Sequence, residues 1–199
     1  MSPLIETIKL SDGRFCNLEY HNSRFNHARW NYFGKKETVN LEDYLVIPHD
    51  KIRGKFKCRI TYSPDIENIE FLHHIIRPVH TLKLIQDDEV NYRFKFKDRK
   101  RLADLFEKRG TCDDILIVSK GCITDSYTAN AIFFDGKNWW TPDTPLLEGT
   151  QRARLLAENK ILERRILISN LSEFKKVGLI NAMQDLQEMP VIEISSLTW

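Results

Sequence analysis

What the chain lacks narrows its class before any motif is read. No apolar run approaches the roughly 20 residues that a membrane-spanning helix needs. The four cysteines, Cys16, Cys58, Cys112 and Cys122, form no CxxC pair, so scattered reduced thiols in a cytoplasmic protein are expected. The N-terminal stretch reaches Glu6, Lys9 and Asp12 too early for a secretory h-region. Neither sign of charge is in excess: 30 Lys and Arg face 28 Asp and Glu, for a net charge of +2. That balance excludes a chain dedicated to polyanions and leaves room only for a local basic stripe. His73 and His74 are neighbours in a strand-like run, so they face opposite ways, and no third ligand stands at a suitable spacing. No metal site is expected. A Gly/Ser-rich linker and internal repeats are missing too, so any two halves should pack directly against each other.

What is present is an ordinary globular mix, 42% hydrophobic and 29% charged over 199 residues, enough for one domain or two small ones. The run 4–10 (LIETIKL) places Leu4, Ile8 and Leu10 on one parity with Glu6 as the lone polar member, and reads as a strand. A Gly-containing turn leads to a second strand over 15–18. Phe25, Ala28 and Tyr32 predict a helix over 20–33 stopped by Gly34. Asn40 is placed to cap a short helix over 41–45. Strands over 55–62 and 69–76 form a hairpin across Pro64, Asp65 and Asn68.

The polar stretch 86–91 (QDDEVN) marks a boundary, giving domains at 1–88 and 89–199. Beyond it come a strand over 92–97, a helix over 99–108 and strands at 115–118 and 122–124. A hairpin flanks Asp135-Gly136-Lys137-Asn138, a helix covers 150–159, and strands follow near 161–168, 177–182 and 191–194. Many short strands, few helices and no regular βαβ alternation indicate an α+β (mixed α/β) fold.

Chemistry gathers at a few positions. Gly149-Thr150-Gln151 opens a helix, whose unpaired N–H groups and dipole suit an anion, although nearly every helix has such an end. Lys97 ends a strand whose other face is Phe94 and Phe96, and a lysine against apolar surface can lose its proton and become nucleophilic. The same residues belong to a basic run over 93–101, and such runs are ordinarily solvated faces or weak polyanion patches. Asp125 follows a strand and precedes Ser126-Tyr127-Thr128-Ala129-Asn130, a polar run able to line a site, while a turn aspartate is the commoner job.

In their order these segments resemble the class IV aminotransferases, the fold-type-IV pyridoxal-phosphate family. The stretch from Asp113 through GCITDSYTANAIFFDGKNWWTPDTPLLEGTQRARLL is similar to the family's strand, "(V/I)T(E/D)" turn, Asn, "TP" and "L-x-G-x-x-R". IETIKLSDGRFCNLEYHNSR resembles the first hairpin and "H-x-x-R" helix, and Lys97-Asp98-Arg99-Lys100-Arg101-Leu102 the "K-x-x-x-R-L" of the family's lyases. The resemblance implies a two-domain D-amino-acid-aminotransferase-like fold: a small N-terminal α+β domain, a C-terminal barrel-like domain, and pyridoxal 5'-phosphate between them. It implies that Lys97 holds the cofactor as a Schiff base, with Lys95 the competing lysine, and that Asp125 pairs with the pyridine nitrogen. Arg24, Asn130, Gly149, Thr150 and Gln151 would complete the cofactor contacts.

Two departures and one further likeness bear on substrate. Ile5 stands where the D-amino-acid enzymes have an aromatic, Tyr62-Ser63 replaces the family's "RG", and Asn181-Ala182-Met183 with Met189-Pro190-Val191 resembles the 4-amino-4-deoxychorismate lyases. The expectation is a homodimeric cytoplasmic enzyme acting on a small amino substrate, as aminodeoxychorismate lyase or as a branched-chain or D-amino-acid aminotransferase. A non-catalytic nucleic-acid or partner-binding module using the 93–101 stripe is the alternative from a different class.

Overall fold

The computed structural model describes residues 1–199. The chain divides into two compact units: the first comprises Met1–Ile76 and Phe94–Asp98, the second Arg77–Arg93 and Arg99–Trp199.

The first unit is built on an antiparallel sheet of order β2-β1-β3-β4: β1 Leu4–Ser11, β2 Arg14–Phe15, β3 Lys55–Tyr62 and β4 Ile66–His73. The alternation of β1 is realised in full, with Leu4, Glu6, Ile8 and Leu10 all at 0% exposure and Ile5, Thr7 and Lys9 on the other face. Helix α1 (Leu18–Phe33) sets Phe25 and Ala28 against that buried row and ends at Gly34, whose φ of 73° suits glycine. The expected second strand over 15–18 is cut to two residues. Asn17 turns the chain left-handed at φ 56°, and the helix starts at once. Asn40 caps a 3-10 turn at Leu41–Asp43 through Glu42 N.

Because β2 meets β1 only at Leu10 and Ser11, the Leu4 end of β1 keeps an open edge. The segment 94–98 fills it. Ile5 N donates to Lys95 O and Lys97 N to Pro3 O, each at 2.9 Å, and Leu4 bridges Phe96. Phe94 and Phe96 pack against the Tyr32 ring, one tilted and one edge-on, with centroids 5.2 and 5.5 Å away. The strand expected over 92–97 is thus a single bridge pinned by two aromatic rings.

The second unit is sheet-rich. Its main path runs β10-β9-β8-β7-β6-β5-β13, with β11 on β8 and β12 on β11. The strands are β5 Leu82–Gln86, β6 Asp114–Ser119, β7 Cys122–Ser126, β8 Asn130–Phe134, β9 Trp139–Pro142, β10 Leu162–Arg164, β11 Lys176–Ile180, β12 Val191–Glu193 and β13 Leu197–Thr198. Helix α2 (Lys100–Glu107) crosses between parallel β5 and β6, burying Leu102, Leu105 and Phe106 on Ile85, Ile115 and Ile117. Helix α3 (Thr150–Ala157) buries Leu155 against Ile132, Ile161 and Ile180.

The sequence-based boundary at 88/89 differs from this division. β5 is hydrogen-bonded into the second unit's sheet, and residues 94–98 return to the first unit. The physical reason is that LKLIQ is buried on both sides, with Leu82, Leu84 and Ile85 all covered. It shows no period-2 signal, and the polar stretch after it is a loop. No helix is long and apolar enough to cross a membrane.

Candidate functional site

In the second unit, β7 delivers Asp125 and β8 delivers Asn130, opposite one another in register. Asp125 is 6% exposed. Its Oδ1 accepts from Asn130 Nδ2 at 2.8 Å, and its Oδ2 accepts from Leu146 N and Leu147 N at 3.0 Å each. Burial pushes its pKa up to about 6, against the opposing pull of those three donors and of Arg152. A carboxylate so enclosed gains from a cationic partner, the requirement for holding a ring nitrogen protonated.

Asn130 is the organiser of this corner. Its Nδ2 also donates to Leu147 O at 2.8 Å, so both amide protons are spent on Asp125 and on the loop entering α3. A Cβ at position 149 would fall well inside contact of Asn130 Oδ1. Glycine is required there by close approach, at an ordinary φ of −69°. Arg152, buried in the first turn of α3, fixes the helix by donating to Thr141 Oγ1 at 3.1 Å and Pro142 O at 2.9 Å, and it pairs with Glu163. The first-turn residues Thr150 and Gln151 are 3% and 2% exposed, and the first turn itself, at the positive end of the helix, carries no acidic residue.

Gly149→Ala is expected to cost about 2 kcal/mol by overpacking and to lower the melting temperature of the cofactor-free protein by roughly 4–8 °C. Thermal unfolding of the two proteins side by side checks this, and an unchanged midpoint would show that Asn130 yields freely.

In the first unit, Arg24 lies on α1 over β1. Its Nε and Nη2 donate to Glu6 Oε1 and Oε2 at 2.9 and 2.6 Å. His21 Nδ1 meets Glu6 Oε2 at 2.6 Å. Glu6 and His21 are fully buried, and the Arg24 side chain is 14% exposed. Burial alone would raise Glu6, but the Arg24 charge and the His21 hydrogen bond outweigh it and hold the pKa down at about 2. Burial lowers His21, leaving a neutral ring whose Nδ1 proton goes to the carboxylate. Lys97 is exposed and Lys95 half-buried on the segment docked along β1.

The site residues expected from sequence are therefore divided. Arg24 and Lys97 belong to the first unit, and Asp125, Asn130, Gly149, Thr150 and Gln151 to the second, where Asp125, Asn130 and Gly149 are in mutual contact. Glu6 and His21 were missed as partners of Arg24. The available signal was a lone acid on the buried parity of β1 and a histidine three residues before Arg24, on the same helix face. The 93–101 stripe is broken up between the units. Arg99 stacks on Tyr127 at 4.4 Å and Arg101 pairs with Asp87 at 2.6 Å.

Residues 3–194 match the pattern of the amino-transferase class IV family. An uncharacterized protein of Haemophilus influenzae is 36% identical over 188 residues, spanning 94% of this chain and all of that one. A crystal structure from Haemophilus somnus, provisionally named a 4-amino-4-deoxychorismate lyase, is 33% identical with a TM-score of 0.87, covering 94% of this chain and 98% of that one. The fold also matches a hypothetical aminotransferase from Mycobacterium tuberculosis in its PLP-bound form, at 15% identity and a TM-score of 0.76 over 98% of this chain and 81% of that one.

Proposed function

The chain belongs to the class IV aminotransferases, and within that pyridoxal-phosphate-dependent family we propose that it acts as an aminodeoxychorismate lyase, releasing pyruvate and 4-aminobenzoate. The observation that carries this reading is the likeness to the Haemophilus somnus protein, at 33% identity and a TM-score of 0.87 across nearly the whole of both chains. The segments Lys97 to Leu102 and Asn181-Ala182-Met183 point the same way. The reading includes a homodimeric cytoplasmic enzyme of folate biosynthesis.

The donor set suits the cofactor: an exposed amine at Lys97, a shielded carboxylate at Asp125, and an arginine and helix terminus for a phosphate. Bound PLP supplies an electron sink for the pair released at the substrate carbon that bears the amine. Lys97 would be the residue that holds the cofactor, and its amine would also be the base that takes a proton from the substrate carbon and the acid that returns one. Asp125 keeps the pyridine nitrogen protonated, and Asn130 holds Asp125 in place. Arg24, fixed by Glu6, and the Thr150 and Gln151 amides neutralise the phosphate.

The deciding assay incubates PLP-loaded protein with aminodeoxychorismate and no amino acceptor, and follows 4-aminobenzoate by fluorescence. Release at a steady rate is expected. Turnover only with an added ketoacid would replace the lyase by a transaminase.

A further inference from the structure

β7 is covered on both faces, and all five of its residues are buried. Its side chains therefore sort between two packed layers, which the neighbouring strands define. On β6, Leu116 and Val118 join an apolar cluster with Ala131 and Phe133 of β8, whereas Ile115 and Ile117 pack with Leu102, Leu105 and Phe106 of α2. Directly opposed residues of an antiparallel ladder share a face. Val118 is paired with Ile123 and Leu116 with Ser126, which puts Ile123 and Ser126 on the side of the apolar cluster.

Ile123 and Ser126 are three residues apart, and strict alternation cannot bring both to one face. The register shifts between them: β6 contributes Ile117 alone where β7 contributes Thr124 and Asp125. That is a β-bulge, which re-aims a side chain at the expense of the ladder. Here it turns Asp125 to the face of Ile117. The pairing with β8 agrees, because Asp125 opposes Asn130. Ile132, on the same parity as Asn130, packs against Leu155 and Ile161 rather than in the first cluster. In this orientation Asp125 meets its three donors, Asn130 Nδ2, Leu146 N and Leu147 N. An unbulged β7 would send the carboxylate with Ile123 toward Val118 and Phe133, away from those donors.

Thr124 closes the bulge. Its Oγ1 donates to Ile117 O at 2.8 Å, the carbonyl of the one residue that faces the extra position. A buried hydroxyl that merely satisfies itself is the plain explanation, since Thr124 is 2% exposed. Its placement argues for more. Threonine hydroxyls ordinarily turn to backbone close by in the chain. This one crosses a hairpin to a carbonyl seven residues away, at the point where the ladder is interrupted.

We propose that Thr124 is a positioning residue: its hydroxyl locks the bulge and thereby holds the Asp125 carboxylate in the orientation that keeps the cofactor's ring nitrogen protonated. The proposal rests on the PLP-enzyme reading above and deepens it. The electron demand of the ring then depends on a side chain that acts only through Asp125.

Thr124→Val keeps the shape and removes the hydroxyl, and Thr124→Ser keeps the hydroxyl without the methyl. Two readouts separate positioning from packing. In the cofactor-free protein, the Asp125 carboxyl is titrated by carbon-13 NMR. Wild type and Thr124→Ser are expected at about 6. Thr124→Val should titrate at least about one pH unit higher, the effect of losing one hydrogen bond to a charged group while burial acts unopposed. In protein loaded with PLP bearing a nitrogen-15 ring atom, wild type and Thr124→Ser should give the signal of a protonated ring. Thr124→Val should move it toward the unprotonated signal that Asp125→Asn defines. Thermal midpoints are measured on the same samples, and Thr124→Ala takes the place of the valine variant if that one does not fold. A lowered midpoint with the Asp125 titration and the ring signal unchanged makes Thr124 a packing residue and overturns the proposal. A serine variant that behaves like the valine one overturns it too. A wild type that takes up no PLP rejects the cofactor reading, while the titration of the cofactor-free protein still decides the role of Thr124.

Discussion

Replacing Lys97 with alanine should erase the absorption band near about 410–420 nm that a lysine Schiff base with the cofactor produces. It should also lower turnover by at least roughly two to four orders of magnitude, the share assigned to a positioned acid–base group. The assignment to Lys97 rather than Lys95 has a structural argument. Both lie on the segment that β1 receives at its open edge, next to the core-packed rings of Phe94 and Phe96. Lys95 is half-buried and close enough to His21 for its charge to depress that ring's pKa, whereas Lys97 is exposed. A lysine that must alternate between cofactor and substrate needs the freer position. Lys95→Ala is therefore expected to keep the band, with borohydride reduction trapping the cofactor on residue 97 in both wild type and that variant. Mass spectrometry of the reduced protein identifies the modified peptide. A band that survives Lys97→Ala and disappears with Lys95→Ala would move the role two residues along the chain.

That comparison also shows what a one-dimensional reading can carry. The alternation of 4–10, the Gly34 stop and the hairpin about Asp135-Gly136 are local signals, and each produced the element it promised. β5 failed for the opposite reason. A short strand covered on both faces shows no alternation, and its existence depends on β6 and β13, which are tens of residues away or more. The return of residues 94–98 to the first unit is likewise a tertiary event, decided by an edge that β2 is too short to cover. At the site, the order of Asp125, Asn130 and Gly149 was legible through family resemblance. The reason they belong together was not. It is one carboxamide that spends both protons on Asp125 and Leu147 and leaves room at position 149 for hydrogen alone. Glu6 is the instructive case, because its presence on the apolar parity was visible while its partners on α1 required the fold.

Glu6→Gln is expected to have the largest effect on the protein's stability. Removing one member of a buried ion pair leaves the other charge uncompensated, at a cost of about 3–5 kcal/mol, and here Arg24 would be stranded beside a neutral amide. For a chain of this length that corresponds to a fall in melting temperature of roughly 10 °C or more. The acid limb separates this pair from general packing. The folded pKa of Glu6 is about 2 against an ordinary 4.5, so its contribution is fully present above about pH 4.5 and is lost as pH falls toward 2. In size that is about 3 kcal/mol. Buried neutral His21 adds to the same trend, since charging it on acidification also favours the unfolded chain. Urea midpoints measured from pH 6 down to pH 3 should therefore fall more steeply for wild type than for Glu6→Gln. Parallel curves would mean that Glu6 is not the group being titrated. A second reading distinguishes holding Arg24 from mere stability: under conditions where both proteins are folded, the variant should bind PLP more weakly than wild type while binding pyridoxal, which has no phosphate, equally well. Equal losses for the two ligands would leave Glu6 as a structural residue and remove Arg24 from the phosphate.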